Sequence, residues 1–249
     1  MSRWLVEVQG DRFDIDELPY WFPDGEIFAL SEGEKVFICG PALESLEDAS
    51  QVYESAKQAL EEFFSIIRIL QPNVHFPKLG TVFREDENGQ RKGTVSASAH
   101  LVGRSKARAT STVNPSEHGL KNPTPAQELL AASRRDRGLH LATLAISDCN
   151  SSWSRLYLAF EEIETYIANS SGKNVVEAKL CSEGEKKRFT RSANAAEVAG
   201  KDARHGFGKG FQAPKNPMSV GEARTFISKL LQATLRIAVE NERNQQSAV

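Results

Sequence analysis

Apolar and polar residues alternate from Trp4 to Val8, the period of a strand with one buried face. Asp14-Ile15-Asp16-Glu17-Leu18 follows, and the Asp14-to-Glu17 spacing predicts a short helix with a capping box. Pro19 and Pro23 bracket the aromatic cluster Tyr20-Trp21-Phe22. Residues 26–30 and 35–39 read as two strands joined by a turn, ended by Gly40-Pro41. Ser45, with Asp48 three residues on, is predicted to cap a long helix. Its apolar positions, from Val52 through Ala56, Leu60, Phe63 and Ile67 to Leu70, recur with helical period, and Pro72 stops it. Residues 79–84 and 93–101 are strand-like around Asn88-Gly89, a hairpin pair because both residues tolerate positive φ. Residues 104–112 extend the same sheet.

The period then changes. Residues 113–125 hold three prolines, two asparagines and a glycine, which predicts a linker over 113–123. Thr124-Pro125-Ala126-Gln127 joins an N-cap, a first-turn proline and a capping-box Gln, opening a helix to about Ser147. Trp153, Leu156, Tyr157, Phe160, Ile163 and Ile167 form the apolar stripe of a second. Ser182 and Glu185 open a third, to about Val198, with Gly200 as its stop. Ser219 and Glu222 open the last, which buries Phe226, Ile227, Leu230, Leu231, Leu235 and Ile237. The expected class is α+β. A small, mainly antiparallel sheet with a long helix (1–112) precedes a four-helix bundle-like part (124–240), and residues 241–249 form a disordered tail.

Composition narrows the class. A chain of 249 residues with 40% hydrophobic and 26% charged residues has ordinary globular content. No apolar run approaches the roughly 20 residues that cross a bilayer, and no secretory h-region is visible, so a cytoplasmic protein with no membrane partner is expected. Cys39, Cys149 and Cys181 lack C-x-x-C spacing, which argues against a disulfide framework or a zinc site. No metal and no cofactor are expected. The net charge of −2 is unevenly spread. Residues 1–100 carry 18 acids against 9 Lys and Arg, and residues 101–249 carry 15 against 22. A basic C-terminal part suits an anionic partner.

That basic charge is densest over residues 186–215, with Lys186, Lys187, Arg188, Arg191, Lys201, Arg204, His205, Lys209 and Lys215. Arg and Lys donate to phosphate oxygens, His moves a proton near neutral pH, and Gly206, Gly208 and Gly210 let a backbone approach a ligand. Arg188, Lys201 and Lys209 are therefore candidate phosphate binders, and His205, Arg204 and Arg191 candidate catalytic groups. The competing reading is a solvated connection between helices. Gly208-Lys209-Gly210 lacks the Ser or Thr and the preceding strand of a Walker A loop.

GDRFDIDELPYWF, RSANAAEVAGKDARHGF and PKNPMSVGEARTFISKLL together resemble a group of uncharacterised bacterial proteins. Residues 124–240 also resemble HEPN-like domains, helical bundles of bacterial RNases, toxins and phage-defence proteins. Ala203-Arg204-His205-Gly206 and Ser219-Val220-Gly221-Glu222-Ala223 stand in the corresponding order. Catalytic members carry an Arg a few residues ahead of the His; here that stretch holds Ala199, Gly200 and Lys201. The resemblance implies an RNA- or nucleotide-binding protein of defence or toxin type, dimeric through its helices. In the cleaving version it is a metal-independent RNase with His205 as base and Arg204 and Arg191 stabilising the transition state. The alternative is a non-catalytic binding or dimerisation module whose basic loop holds a phosphate ligand or a partner.

Overall fold

The computed structural model describes residues 2–72, 74–94, 122–147, 152–203 and 212–247. Two compact units are present: Met1–Phe63 with Val74–Gln127, and Phe64–Asn73 with Glu128–Val249.

The first unit is built on five antiparallel strands in the order β2-β3-β1-β4-β5. They are β1 (Arg3–Gln9), β2 (Phe28–Glu32), β3 (Lys35–Cys39), β4 (Lys78–Glu85) and β5 (Arg91–Thr94). Short helices α1 (Arg12–Ile15) and α2 (Leu18–Trp21) link β1 to β2, and α3 (Pro41–Glu44) follows β3. Alternation places Trp4, Val6 and Val8 on one side of β1 and Leu5 on the other, and all four are buried. On the first side, Trp4 Nε1 donates to the Leu46 carbonyl at 2.9 Å. On the second, Leu5, Phe37 and Cys39 form an apolar cluster covered in part by Phe28, Leu30 and Phe83. The expected β4–β5 turn is present: Gly89 takes φ +75°, and its amide donates to the Asp86 carbonyl at 3.0 Å. The expected strand residues 95–101 and 104–112 and almost all of the linker lie outside the described residues.

Two of the predicted caps are displaced. Asp11, not Asp14, caps α1, its carboxylate accepting from the Phe13 amide. Asp14 is instead buried and accepts from the His75 amide at 2.9 Å, a contact 61 residues away with no local signature. Ser45 closes α3 rather than opening the long helix, because Pro41 starts a turn of its own. The long helix α4 (Ala49–Leu70) begins at Asp48, whose carboxylate accepts from the Ser50 amide at 2.7 Å. Gly40 permits the sharp exit from β3: at φ +140° any Cβ would collide with the Glu26 carbonyl. The apolar face of α4 is buried as its period predicts, with Phe63 stacked on Phe22 at 4.0 Å. Residues of α4 up to Phe63 belong to the first unit and those from Phe64 to the second.

The second unit is helical, as its 3.6-residue period requires. Its main helices are α5 (Pro125–Arg135), α6 (Arg137–Ser147), α7 (Trp153–Ser171), α8 (Glu183–Asn194) and α10 (Val220–Ser247). The short α9 (Ala196–Ala199) and a 3₁₀ turn (Gly200–Asp202) follow α8. One helix was expected where α5 and α6 stand. Asp136 divides them: its carboxylate accepts from the Leu139 amide at 2.9 Å and its carbonyl from the His140 amide at 2.9 Å, so it starts a second helix. Of the expected tail, residues 241–247 continue α10, and residues 248–249 lie outside the described residues. Ion pairs of Arg135 with Glu242 and of Arg243 with Glu128 tie that end to α5.

The packing centre of this unit is Phe189 of α8, which is fully buried. Phe160 (5.2 Å), Phe226 (5.3 Å), Tyr157 (6.0 Å) and Trp153 (6.1 Å) surround it, measured between ring centroids. These rings come from α7 and α10, so one side chain joins three helices. Replacing Phe189 by Ala is expected to cost about 3–5 kcal/mol, and Leu230 by Ala about 2–5 kcal/mol, through lost burial and residual cavity. Chemical denaturation checks this; midpoints equal to wild type would show that these faces are not the core.

Candidate functional site

The basic segment begins inside α8, so helix geometry decides where its cations point. Ser182 and Glu185 make the predicted capping box: the Glu185 amide donates to Ser182 Oγ at 3.2 Å and the Ser182 amide to Glu185 Oε2 at 2.9 Å. The Ser182 amide and hydroxyl hold the Glu185 carboxyl below the usual carboxylate range. With Phe189 turned inward, residues two before and two after it lie about 160–200° around the helix. Those residues are Lys187 and Arg191, and both are exposed. Lys186 and Arg188 flank the buried face instead.

Three of these four cations are matched by glutamates. Lys186 Nζ lies 2.5 Å from Glu164 Oε1 of α7 and 6.0 Å from the Phe160 ring centroid. The Glu164 carboxylate holds that ammonium above its ordinary pKa. Lys187 pairs with Glu183 one turn earlier, at 3.2 Å. Arg188 is engaged most heavily. Its Nε donates to the Asn216 carbonyl at 2.8 Å, and its Nη2 to the Pro217 carbonyl at 3.2 Å and to Glu222 Oε1 at 2.8 Å. Buried Ser192, one turn on, accepts from the Met218 amide at 2.9 Å. Arg188 and Ser192 thus fasten the segment leading into α10 against α8. At the start of α10 the second predicted capping box is present, with the Ser219 amide donating to Glu222 Oε2 at 2.8 Å. One carboxylate therefore caps α10 and accepts Arg188. The Ser219 amide first, then Arg188 and the Ser219 hydroxyl, bring the Glu222 carboxyl down to about 2.

Arg191 differs from its neighbours. It lies in the last turn of α8, and its side chain has no ion pair or hydrogen bond with any described residue. Asn194, three residues on, has a buried Oδ1 without a hydrogen-bond partner among the described residues. Lys201, in the 3₁₀ turn, and Lys215 are exposed. Arg204, His205 and Lys209 fall outside the described residues. Of the predicted site, Arg188, Arg191 and Lys201 are thus described, and only Arg188 is held by the fold. Sequence reasoning missed that second duty of Glu222. Its capping-box spacing marked the carboxylate, but nothing local marks a cation 34 positions away as its partner. Among the described residues no group of His, Cys, Asp and Glu is arranged to hold a metal ion, and no helix is long and apolar enough to cross a membrane. No family model, no curated protein and no solved structure matches the chain.

The Glu222 assignment has a sign that can be checked. A carboxyl lowered from 4.5 to about 2 adds stability that is present above pH 4.5 and is lost as pH falls through about 2. In a carboxyl NMR titration Glu222 should protonate near pH 2 in the wild type. In Arg188→Ala the midpoint should rise part of the way toward 4.5, since the Ser219 amide remains. An unmoved midpoint would show that Arg188 contributes nothing to the carboxylate.

Proposed function

We propose that the chain binds RNA, or a nucleotide of the same phosphate chemistry, through the basic segment around the end of α8. Arg191, Lys201 and Lys215 are the described residues of that segment, and Arg204 and Lys209 stand in the same basic stretch of the sequence. The supporting observation is the contrast within α8: Lys186, Lys187 and Arg188 each face a glutamate, whereas Arg191 stands exposed with no such partner among the described residues. A guanidinium that no carboxylate neutralises donates bidentately to phosphate without first giving up an ion pair. Arg188 leaves the proposed phosphate-binding set, because its donors hold the Asn216–Glu222 segment. The same proposal pairs two copies through the helical unit, where Leu141 of α6 and Leu158 of α7 are exposed. A monomer in sedimentation at micromolar concentration contradicts that pairing.

Salt dependence tests the binding. Arg191→Ala and Lys201→Ala should each weaken affinity for single-stranded RNA and shallow the slope of log K against log salt by about 0.7, through one lost counterion release. His205→Ala should leave the slope unchanged, since a neutral imidazole releases no counterion. If the wild type cleaves the RNA, His205→Ala should lower that rate by about 10²–10⁴. Binding without cleavage places the chain among non-catalytic modules. No affinity for RNA or nucleotides at low salt contradicts the proposal.

A further inference from the structure

A second cluster of charged side chains lies on the sheet, and it explains how the outermost strand is held. Among the described residues β5 stands last in the strand order, and its residues Arg91, Lys92, Gly93 and Thr94 are all exposed. None of these four residues brings a large apolar side chain to the cluster of Leu5, Phe37 and Cys39. They pair with β4 from Glu85↔Arg91 to Val82↔Thr94. Gly93 lets β5 run close beside Phe83, since a Cβ there would stand 3.1 Å from that ring.

Among the described residues of β5, Arg91 reaches furthest into the sheet. Its Nε donates to Glu85 Oε2 at 2.6 Å, its Nη2 to Glu32 Oε2, and its guanidinium carbon lies 5.1 Å from the Phe37 ring centroid. Arg3 of β1 takes the other two oxygens, Glu85 Oε1 at 2.7 Å and Glu32 Oε1 at 2.8 Å. Each carboxylate bridges two guanidiniums, which closes a ring across β1, β2, β4 and β5. The other charged pair near this face, Lys35 and Glu7, is matched within itself at 2.8 Å, with Lys35 Nζ 6.0 Å from the Phe83 centroid. Hydrogen bonds from Arg3 and then from Arg91 hold the Glu85 carboxyl below its usual range. The ring therefore persists above the ordinary Glu pKa and weakens as pH falls below it.

We propose that the ring is an electrostatic clasp on the edge of the sheet. Residues 91–94 of β5 detach from β4 before the rest of the sheet opens when the Arg91 pairs are broken, and their detachment uncovers Phe83 and the Phe37 ring beneath the Arg91 guanidinium. Low-stability units of this kind are where few apolar contacts and exposed backbone hydrogen bonds coincide, and the clasp adds a dependence on salt that an apolar lock lacks.

Amide hydrogen exchange on the full chain tests the clasp at one pH. In Arg91→Gln the β5 amides should exchange about tenfold or more faster than in the wild type, while the β1 and β3 amides keep their rates. Arg91→Lys should fall near Arg91→Gln, because a single ammonium does not bridge Glu32 and Glu85 as a fork does. The wild type in about 1 M salt, where the Debye length is near 3 Å, should move the same way, a readout independent of whether the variants fold. Unchanged β5 protection in Arg91→Gln and in high salt would show that the ladder alone holds the strand. Equal acceleration of β1, β3 and β5 would make the ring a general stabiliser of the sheet and overturn the clasp.

Discussion

The helical unit depends on the burial of one ring. Phe189 touches aromatic partners from α7 and α10, so the rotation of α8 about its own axis is set by where that ring must go. Once it is set, the charges of α8 are sorted without further choice. Lys186 falls beside Glu164, Arg188 falls against the approach to α10, and Arg191 falls on the far side. A segment that reads in sequence as one run of positive charge thus becomes two groups with different duties. Cations facing a neighbouring helix are matched by carboxylates, as charges in partly buried places must be. Of the two facing away, Lys187 pairs with Glu183 on its own helix and Arg191 has no carboxylate partner among the described residues.

The sheet obeys the same logic with a different currency of contacts. Its inner strands carry buried apolar side chains, and the described residues of β5, which have none, are joined to β1, β2 and β4 by shared guanidinium–carboxylate bonds. Individual exposed ion pairs stabilise little, but a closed ring with bridging carboxylates orders four side chains together.

Features encoded within three or four residues were legible in the sequence. The boxes Thr124–Gln127, Ser182–Glu185 and Ser219–Glu222 all form, because an N-cap and its partner carry their own geometry. The β2–β3 and β4–β5 pairs follow from period-2 patterning joined by short turns. Less legible was whatever depends on distant partners. Asp14 looked like a cap and became the acceptor for the His75 amide. Residues 241–249 looked like a polar, frayed tail, yet α10 runs on to Ser247, with Glu242 and Arg243 paired to Arg135 and Glu128 of α5. Arg188 looked like its neighbours, and its partners, at 216, 217 and 222, lie about thirty positions on. Phe189 sits in a stretch dominated by Lys and Arg, which hid the most central side chain of the unit. Asp136 split a helix because one carboxylate found an amide three residues ahead, a competition that apolar periodicity does not register.

The division of the α8 cations is most directly tested by following arginine Nε–Hε resonances while a short single-stranded RNA is titrated into the isotope-labelled full chain at low salt. The Arg191 resonance should shift progressively with RNA, whereas the Arg188 resonance should stay where its bonds to Asn216, Pro217 and Glu222 place it. A shift at Arg188 with Arg191 unmoved would contradict the sorting of these charges by the Phe189 contact.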